Sequence, residues 1–423
     1  MRVLISAYAC DPYRGSEPGV GWAAVAAISG QHDVYVLTDI HNEEGWERAT
    51  QEGLVPKNVR VRFLRKHRRC SENRFVAHLQ SWLSFRRFNS MVLKAALEWH
   101  SEEAFDLCHH VTVAAWRLPS PLWKMPIPFI WGPIGGAGVV GRPFRRMLSP
   151  SARIFEAARD ISTWRTLSSK AFRDCMAKSA VVFPANEETL QLLEPYRPGK
   201  DLRKLPIASL PEAKVTRFAC KKVLGPKEGE LKLFAGGNMI GSKGLSMALK
   251  ALAIVRDRGV PFHYTIAGGG PEIPKVRKLI EVLDLESEVT LHRGFRGEEY
   301  VTALHSHDIY FLPSLREGTP VTMLEALLAG CFPVVAKAST QGEIAAMVNG
   351  IAAEGSTPEE MEHALAMGLL WCDSNREEMA GIAAAAPATI AAAFSLKHYI
   401  AEILESYRVS VAATPVYTPP RDS

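Results

Sequence analysis

Asp308-Ile-Tyr-Phe-Leu-Pro313, running into Ser314-Leu-Arg-Glu-Gly-Thr-Pro-Val-Thr-Met-Leu-Glu-Ala-Leu-Leu-Ala-Gly330, decides how this chain is read. Asp308 to Leu312 is a short apolar run suited to a buried strand. Thr319 offers a hydroxyl at a helix N-cap and Pro320 a ring at N1, so a helix is predicted from there to about Ala329. Gly330 supplies the left-handed stop, and Phe332 to Ala336 opens the next strand. Strand, loop, helix and strand in that order is the repeating unit of a parallel α/β sheet. It puts Glu317 on a loop at the carboxyl end of a strand and Glu325 about two turns into the helix. Open α/β sheets bind ligands at that edge, and a helix start offers unpaired N–H groups and partial positive charge to an anion such as phosphate. For an arbitrary pair of glutamates the default is a loop charge and a solvated helix residue; the context here points elsewhere.

Outward from this stretch the alternation continues in both directions. Strand-like runs stand at Val3 to Ala7, Val34 to Thr38, Val59 to Leu64, Phe105 to His109, Ile127 to Trp131 and Ala180 to Phe183, and again at Leu231 to Ala235, Phe262 to Ala267 and Val289 to His292. Repeated βαβ with short apolar strands predicts doubly wound parallel sheets, two of them, joined between Pro206 and Pro226 where prolines and charges interrupt the periodicity. At 423 residues, 47% apolar and 22% charged, the chain is long enough for two globular cores. Seven scattered cysteines without a C-x-x-C pair suit a reduced, cytoplasmic protein. The apolar run after Arg2 is too short for a secretion signal and reads as a first strand, and no stretch approaches the length of a membrane span.

The formal charge of +5 is uneven: residues 1–208 hold 29 Lys and Arg against 20 Asp and Glu, the remainder 21 against 25. The excess concentrates in 57–94, where Lys57, Arg60, Arg62, Arg65, Lys66, Arg68, Arg69, Arg74, Arg86, Arg87 and Lys94 face the single acid Glu72. Phe63, Phe75, Trp82, Phe85 and Phe88 are interleaved with them. A basic, aromatic segment of this kind suits an anionic membrane surface, and equally a solvated helix face with a few core aromatics. No nucleic-acid-binding motif accompanies the charge. From Gly141 to Lys178 the chain is again Arg-rich, and solvated helices are the default there.

Three further stretches carry chemistry. Asp11-Pro-Tyr-Arg-Gly-Ser-Glu-Pro-Gly-Val-Gly-Trp22 is a Gly-rich first βα turn, whose backbone can approach a ligand closely. Phe105-Asp-Leu-Cys-His-His110 puts adjacent histidines at a strand end, where only one of the two can face a cleft. Leu231-Lys-Leu-Phe-Ala-Gly-Gly-Asn-Met-Ile-Gly-Ser-Lys-Gly244 is a strand, a glycine loop and a lysine at a helix start, where it acts as a point charge on phosphate. His263 to Glu272 is Gly-rich but lacks the dinucleotide-binding spacing. Acids and histidines lack metal-ligand spacing, so no metal is expected.

Glu317 and Glu325, eight apart across a Gly-Thr-Pro turn, resemble the E-x7-E signature of retaining GT-B glycosyltransferases, specifically glycosyltransferase family 4 (glycosyl transferases group 1). Lys243-Gly244 is similar to that family's G-R-x(4)-K-G element, with Asn238 standing where the arginine is usual. The resemblance implies an α/β GT-B fold: two Rossmann-like doubly wound domains facing a central cleft. It divides the chain into 1–208 for the acceptor, 209–393 for the donor, a helix at 394–411 crossing back, and a disordered tail at 412–423. It implies sugar transfer from a nucleotide diphospho-sugar to an acceptor hydroxyl with retention and no other cofactor. Glu317, Lys243 and His110 or His109 are implied as catalytic. Gly15, Ser16, Gly237, Asn238, Lys243, Gly244, Gly269, Arg293, Gly318, Thr319 and Glu325 are implied as donor-binding, with Gly19 and Gly21 beside them. The histidine pattern departs from the family's, which has a second His where Val111 stands. The basic first half makes a lipid-linked or envelope glycan the expected acceptor, at the inner face of the cell membrane. A decayed GT-B scaffold, a nucleotide-sugar epimerase or phosphorylase, and, further off, a dehydrogenase are the competing readings.

Overall fold

The computed structural model describes residues 1–15, 17–64, 74–219 and 229–413. Ser16, the middle of the basic segment, part of the interdomain join and the tail from 414 therefore lie outside the described residues. The chain divides into two compact units: Met1–Ala137 with Ser162–Ile207 and the segment from Tyr399, and Gly138–Ile161 with Ala208–His398.

Six parallel strands form the sheet of the first unit: β1 (Arg2–Ala7), β2 (Asp33–Asp39), β3 (Val59–Leu64), β4 (Leu107–Thr112), β5 (Phe129–Ile134) and β6 (Val181–Pro184), in the order β3-β2-β1-β4-β5-β6. The second unit repeats the plan with β7 (Leu231–Gly236), β8 (Phe262–Ala267), β9 (Val289–His292), β10 (Ile309–Phe311), β11 (Phe332–Ala336) and β12 (Ile351–Ala353), in the order β12-β11-β10-β7-β8-β9. Strands such as β4, β5 and β11 are buried along their whole length. Helices cover both faces of a parallel sheet, which is why these strands read as unbroken apolar runs. In each order the first and fourth strands of the unit lie side by side. There the winding reverses and the following loops diverge, leaving a crevice at the carboxyl edge.

The helices include α1 (Glu17–Ile28), α2 (Arg74–Glu103), α3 (Pro150–Leu167), α4 (Glu212–Phe218), α5 (Leu245–Asp257), α6 (Gly297–Ser306), α7 (Val321–Leu328), α8 (Ser339–Met347) and α9 (Leu396–Ala412). Among the described residues no helix is long and apolar enough to cross a membrane.

Three boundaries differ from the sequence reading. Residues 138–161 pack with the second unit, because Val140, Phe144 and Leu148 are apolar anchors that join the core built on Leu233, Met239 and Leu249. Strand β4 runs on to Thr112, which puts both histidines inside it and not at its end. β12 is three residues of Ile and Ala at the sheet edge, too short and too weakly patterned to read beforehand. The basic segment is also less bare than its composition: Arg60 and Arg62 are paired with Glu103 and Glu102 from the end of α2.

Candidate functional site

In the second unit the crevice lies outside β7 and β10, and backbone geometry builds its floor. After β7 the chain turns through Gly237 and Asn238 into a single 3-10 turn, Gly241–Lys243. Gly244 then caps α5 with φ 71°, and a Cβ there would sit 2.2 Å from the Pro313 carbonyl oxygen. A Cβ on Gly268 would be 2.0 Å from the Gly237 oxygen. Glycine is therefore required where these loops cross. Backbone N–H groups stitch them together: Gly237 to the Ala267 oxygen at 3.0 Å, Met239 to Gly269 at 2.9 Å, Gly268 to His292 at 2.9 Å and Leu315 to Ser242 at 2.8 Å.

On that floor the Lys243 ammonium is ion-paired with the Glu317 carboxylate, the two side chains being 17% and 13% exposed. Helix α8 grips the Glu317 loop from the other side. Thr340 donates its hydroxyl to the Gly318 carbonyl, and the Gln341 side-chain oxygen accepts from the Ser314 N–H at 3.2 Å. Helix α7 begins at Val321 behind Pro320, which has no side-chain cap, so Thr319 is not the N-cap its position predicted. The proline fixes its own φ and lacks an N–H, and the cap falls one residue later than the hydroxyl. The Thr319 hydroxyl is instead buried without a hydrogen-bond partner among the described residues, as is that of Ser314.

Glu325 lies one turn into α7 and is held twice, by the Lys214 ammonium at 2.6 Å and the Tyr300 hydroxyl at 2.8 Å. Burial together with the Glu325 charge pushes the Tyr300 phenol far up, so it remains a donor. Asn238 is exposed at the loop tip. Arg293 is exposed after β9, where His292 stacks on Phe295 with centroids 3.9 Å apart.

Beneath the loop, Arg316 reaches the carboxylate of Glu156 on α3. Glu156 is almost fully buried, and Arg159 stands 3.9 Å from its second oxygen. Burial and the neighbouring Arg316 push the Arg159 guanidinium down to about 10. Glu317 thus projects from a loop whose preceding residue is anchored in a buried ionic cluster.

The first unit has its own crevice, between β1 and β4. Gly21 lets α1 pack on the Ala9 carbonyl, whose oxygen would be 2.1 Å from a Cβ; Gly19 approaches Arg14, and Gly15 stands open. Glu17 accepts from the Ala114 N–H at 2.8 Å, and burial raises its pKa. His109 donates through Nε2 to the Gly132 oxygen at 2.6 Å and accepts the Tyr407 hydroxyl at Nδ1, 2.7 Å away. His110 donates through Nε2 to the Val113 oxygen at 3.2 Å, while its Nδ1 has no partner among the described residues.

Burial holds His109 at a pKa of about 3 and His110 at about 4. Both values lie below the unfolded value of about 6.5, so between those limits the unfolded chain binds protons that the folded chain refuses. Stability should therefore fall as pH drops from about 6.5 toward 4, on the order of 3 kcal/mol per histidine over the full window. Thermal midpoints of the wild type and His110→Asn measured from pH 7 to pH 4.5 test this. The variant should lose part of the slope, and parallel curves would exclude the histidine as its source.

The structure brings Gly237, Asn238, Lys243, Gly244, Gly269, Glu317, Gly318 and Thr319 to one edge of the second unit, with Glu325 behind them. Gly15, His109 and His110 belong to the first. Sequence reading missed Lys214, Tyr300, Glu156, Arg316 and Thr340. Lys214 falls in the proline-interrupted join, which was read only as a linker, and the others are reached by long-range pairing that no local spacing announces. Among the described residues no group of three or more His, Cys, Asp or Glu is placed to hold a metal ion.

Two sheets of this strand order in one chain define the GT-B fold, and solved structures agree: sucrose-phosphate synthase from Thermosynechococcus elongatus superposes with a TM-score of 0.66 over 98% of this chain and 100% of its own, at 14% identity. Residues 217–381, which include Lys243, Glu317 and Glu325, match the family described as Glycosyl transferases group 1. WcaL of Escherichia coli (strain K12), which bears the name of a colanic acid biosynthesis glycosyltransferase, is 35% identical over 128 residues, 29% of this chain and 31% of its own. The amylovoran biosynthesis glycosyltransferase AmsK of Erwinia amylovora is 31% identical over 185 residues, 41% and 44% of the two chains. These matches span less than half the length of either curated relative.

Proposed function

We propose that the chain is a retaining, metal-independent glycosyltransferase of family 4 that moves a sugar from a nucleotide diphospho-sugar to an acceptor hydroxyl. The observation that carries this reading is the meeting of Lys243, at the start of α5, with Glu317 at the β7–β10 edge. A diphosphate entering there takes the lysine from Glu317 and gains the helix dipole, and the freed carboxylate turns to the sugar hydroxyls. Transfer breaks the bond between anomeric carbon and phosphate oxygen and makes one to the acceptor oxygen. The acceptor proton passes to the leaving phosphate on the same face. The protein's share is electrostatic, stabilising charge as it develops on the departing diphosphate. Glu325, held by Lys214 and Tyr300, is assigned to the ribose.

The relatives named for colanic acid and amylovoran biosynthesis support a glycan acceptor. The basic first half supports one carried on lipid at the inner face of the cell membrane. Incubation with nucleotide sugars and a bacterial lipid extract tests the reaction. Nucleoside diphosphate should be released together with a glycosylated product of the donor's anomeric configuration, read by proton NMR. Free sugar phosphate would instead mark a phosphorylase, and an epimerised nucleotide sugar an epimerase. A decayed scaffold is the second reading, favoured by Asn238 at the usual arginine position; it predicts no release at all.

A further inference from the structure

Helix α3 turns an apolar line outward. At 3.6 residues per turn its inner side is fixed by Ala152, Glu156 and Arg159, the first packed on the core of the second unit, the second bonded to Arg316 and the third donating to the Gly138 oxygen at 2.8 Å. A helix pinned by a buried ion pair cannot roll to hide its other side. On that side Ile154 is 71% exposed, Ile161 59% and Trp164 70%. Their spacing of seven and three residues sets them in one row, with exposed Ala157 and Ala158 between. A surface helix ordinarily carries polar residues on this face, and here the exposed side of the helix carries apolar ones.

The charge around the row is one-sided. Residues 138–167 contain six arginines and two acids, and both acids are paired, Glu156 with Arg316 and Asp160 with Arg145. Arg146 is paired with Glu359, and Arg142, Arg153 and Arg165 are exposed beside the row. We propose that this face of α3 docks on an anionic lipid bilayer, with Ile154, Ile161 and Trp164 entering the interface and the three arginines lying among the lipid phosphates. Tryptophan with aliphatic neighbours and a cationic rim is the composition that settles at the headgroup boundary. A second copy of the chain fits worse. A two-fold interface would set the same arginine rim against itself, and three apolar side chains fall far short of the roughly 800 Å² per partner of a stable interface.

The proposal rests on the reading of a membrane-borne acceptor for its purpose only, because vesicle binding needs no sugar transfer. Its test is co-sedimentation of the full chain with vesicles of phosphatidylcholine alone and of equimolar phosphatidylcholine and phosphatidylglycerol. The wild type should partition at least tenfold more strongly onto the anionic vesicles, and Ile154→Glu/Ile161→Glu/Trp164→Glu should lose at least tenfold while keeping its nucleotide-induced thermal shift. That retained shift separates failure of this surface from failure of the donor site. The milder Trp164→Phe serves should the triple variant not fold: vesicles should shift wild-type tryptophan emission to the blue, and this change should drop out of the variant. Wild-type protein indifferent to vesicles, a folded triple variant that binds as the wild type does, or a Trp164→Phe variant that keeps the full blue shift would overturn the proposal. So would a triple variant that loses self-association in sedimentation velocity while keeping vesicle binding.

Discussion

Replacing Lys243 by alanine should lower turnover of the nucleotide sugar at least a hundredfold. Its ammonium stands at the start of α5, beside the loop crossing that Gly244 and Gly268 allow, and is paired with the Glu317 carboxylate. Losing one donor aimed at developing charge in a water-poor site typically costs ~3–4 kcal/mol of transition-state stabilisation, a factor of a hundred or more. Asn238 in the same loop is neutral, so it brings no charge to share the load. Lysine to arginine should not restore the rate fully, because a planar guanidinium fork meets phosphate differently from a compact ammonium point charge. Steady-state kinetics on the donor decide the matter: kcat/KM within a few fold of the wild type would remove Lys243 from the chemistry.

Glu156→Ala should destabilise the second unit by about 3–5 kcal/mol, the usual consequence of removing one member of a buried ion pair. Arg316 would lose its carboxylate, and Arg159, already pushed down by burial and by Arg316, would face a like charge with nothing between. The surface pair Arg146–Glu359 is the control, since both its members are well exposed and Glu359→Ala should be nearly silent. Urea unfolding followed by far-ultraviolet circular dichroism reports the difference. Glu156→Ala should also weaken donor binding, because Arg316 precedes Glu317 in the loop. Unchanged stability would mean that the cluster is solvated and does not brace the site.

Much of this was legible in the chain itself. Strand after strand of β-branched and apolar residues, punctuated by glycine and proline, fixed the alternation, and eleven of the twelve strands follow from it; only the three-residue edge strand Ile351–Ala353 escapes, having too little pattern to read. Lys243-Gly244 and Glu317 to Glu325 were legible because a helix start after a glycine loop is a local event. Glu156 was not, since its partner Arg316 lies 160 residues away and a buried acid on an Arg-rich helix resembles any solvated one. The same holds for Lys214 with Glu325, and for the outward row on α3. Amphipathic spacing gives a row of apolar residues, and only the packing of Glu156 says that the row faces out. His109 and His110 were found by motif but set at a strand end, whereas the strand continues two residues further and buries both.

If the β7–β10 edge holds a nucleotide diphosphate on Lys243, nucleotides should stabilise the protein through that residue. Thermal-shift titration with UDP, GDP, ADP and their common sugar conjugates, on the wild type and Lys243→Ala in parallel, tests this. A ligand at a hundred times its dissociation constant adds about 2.7 kcal/mol to stability, which moves the midpoint visibly. The expected result is a rise with one nucleotide base, lost in the variant. A wild type that no nucleotide stabilises, or a rise that the variant keeps in full, would contradict it.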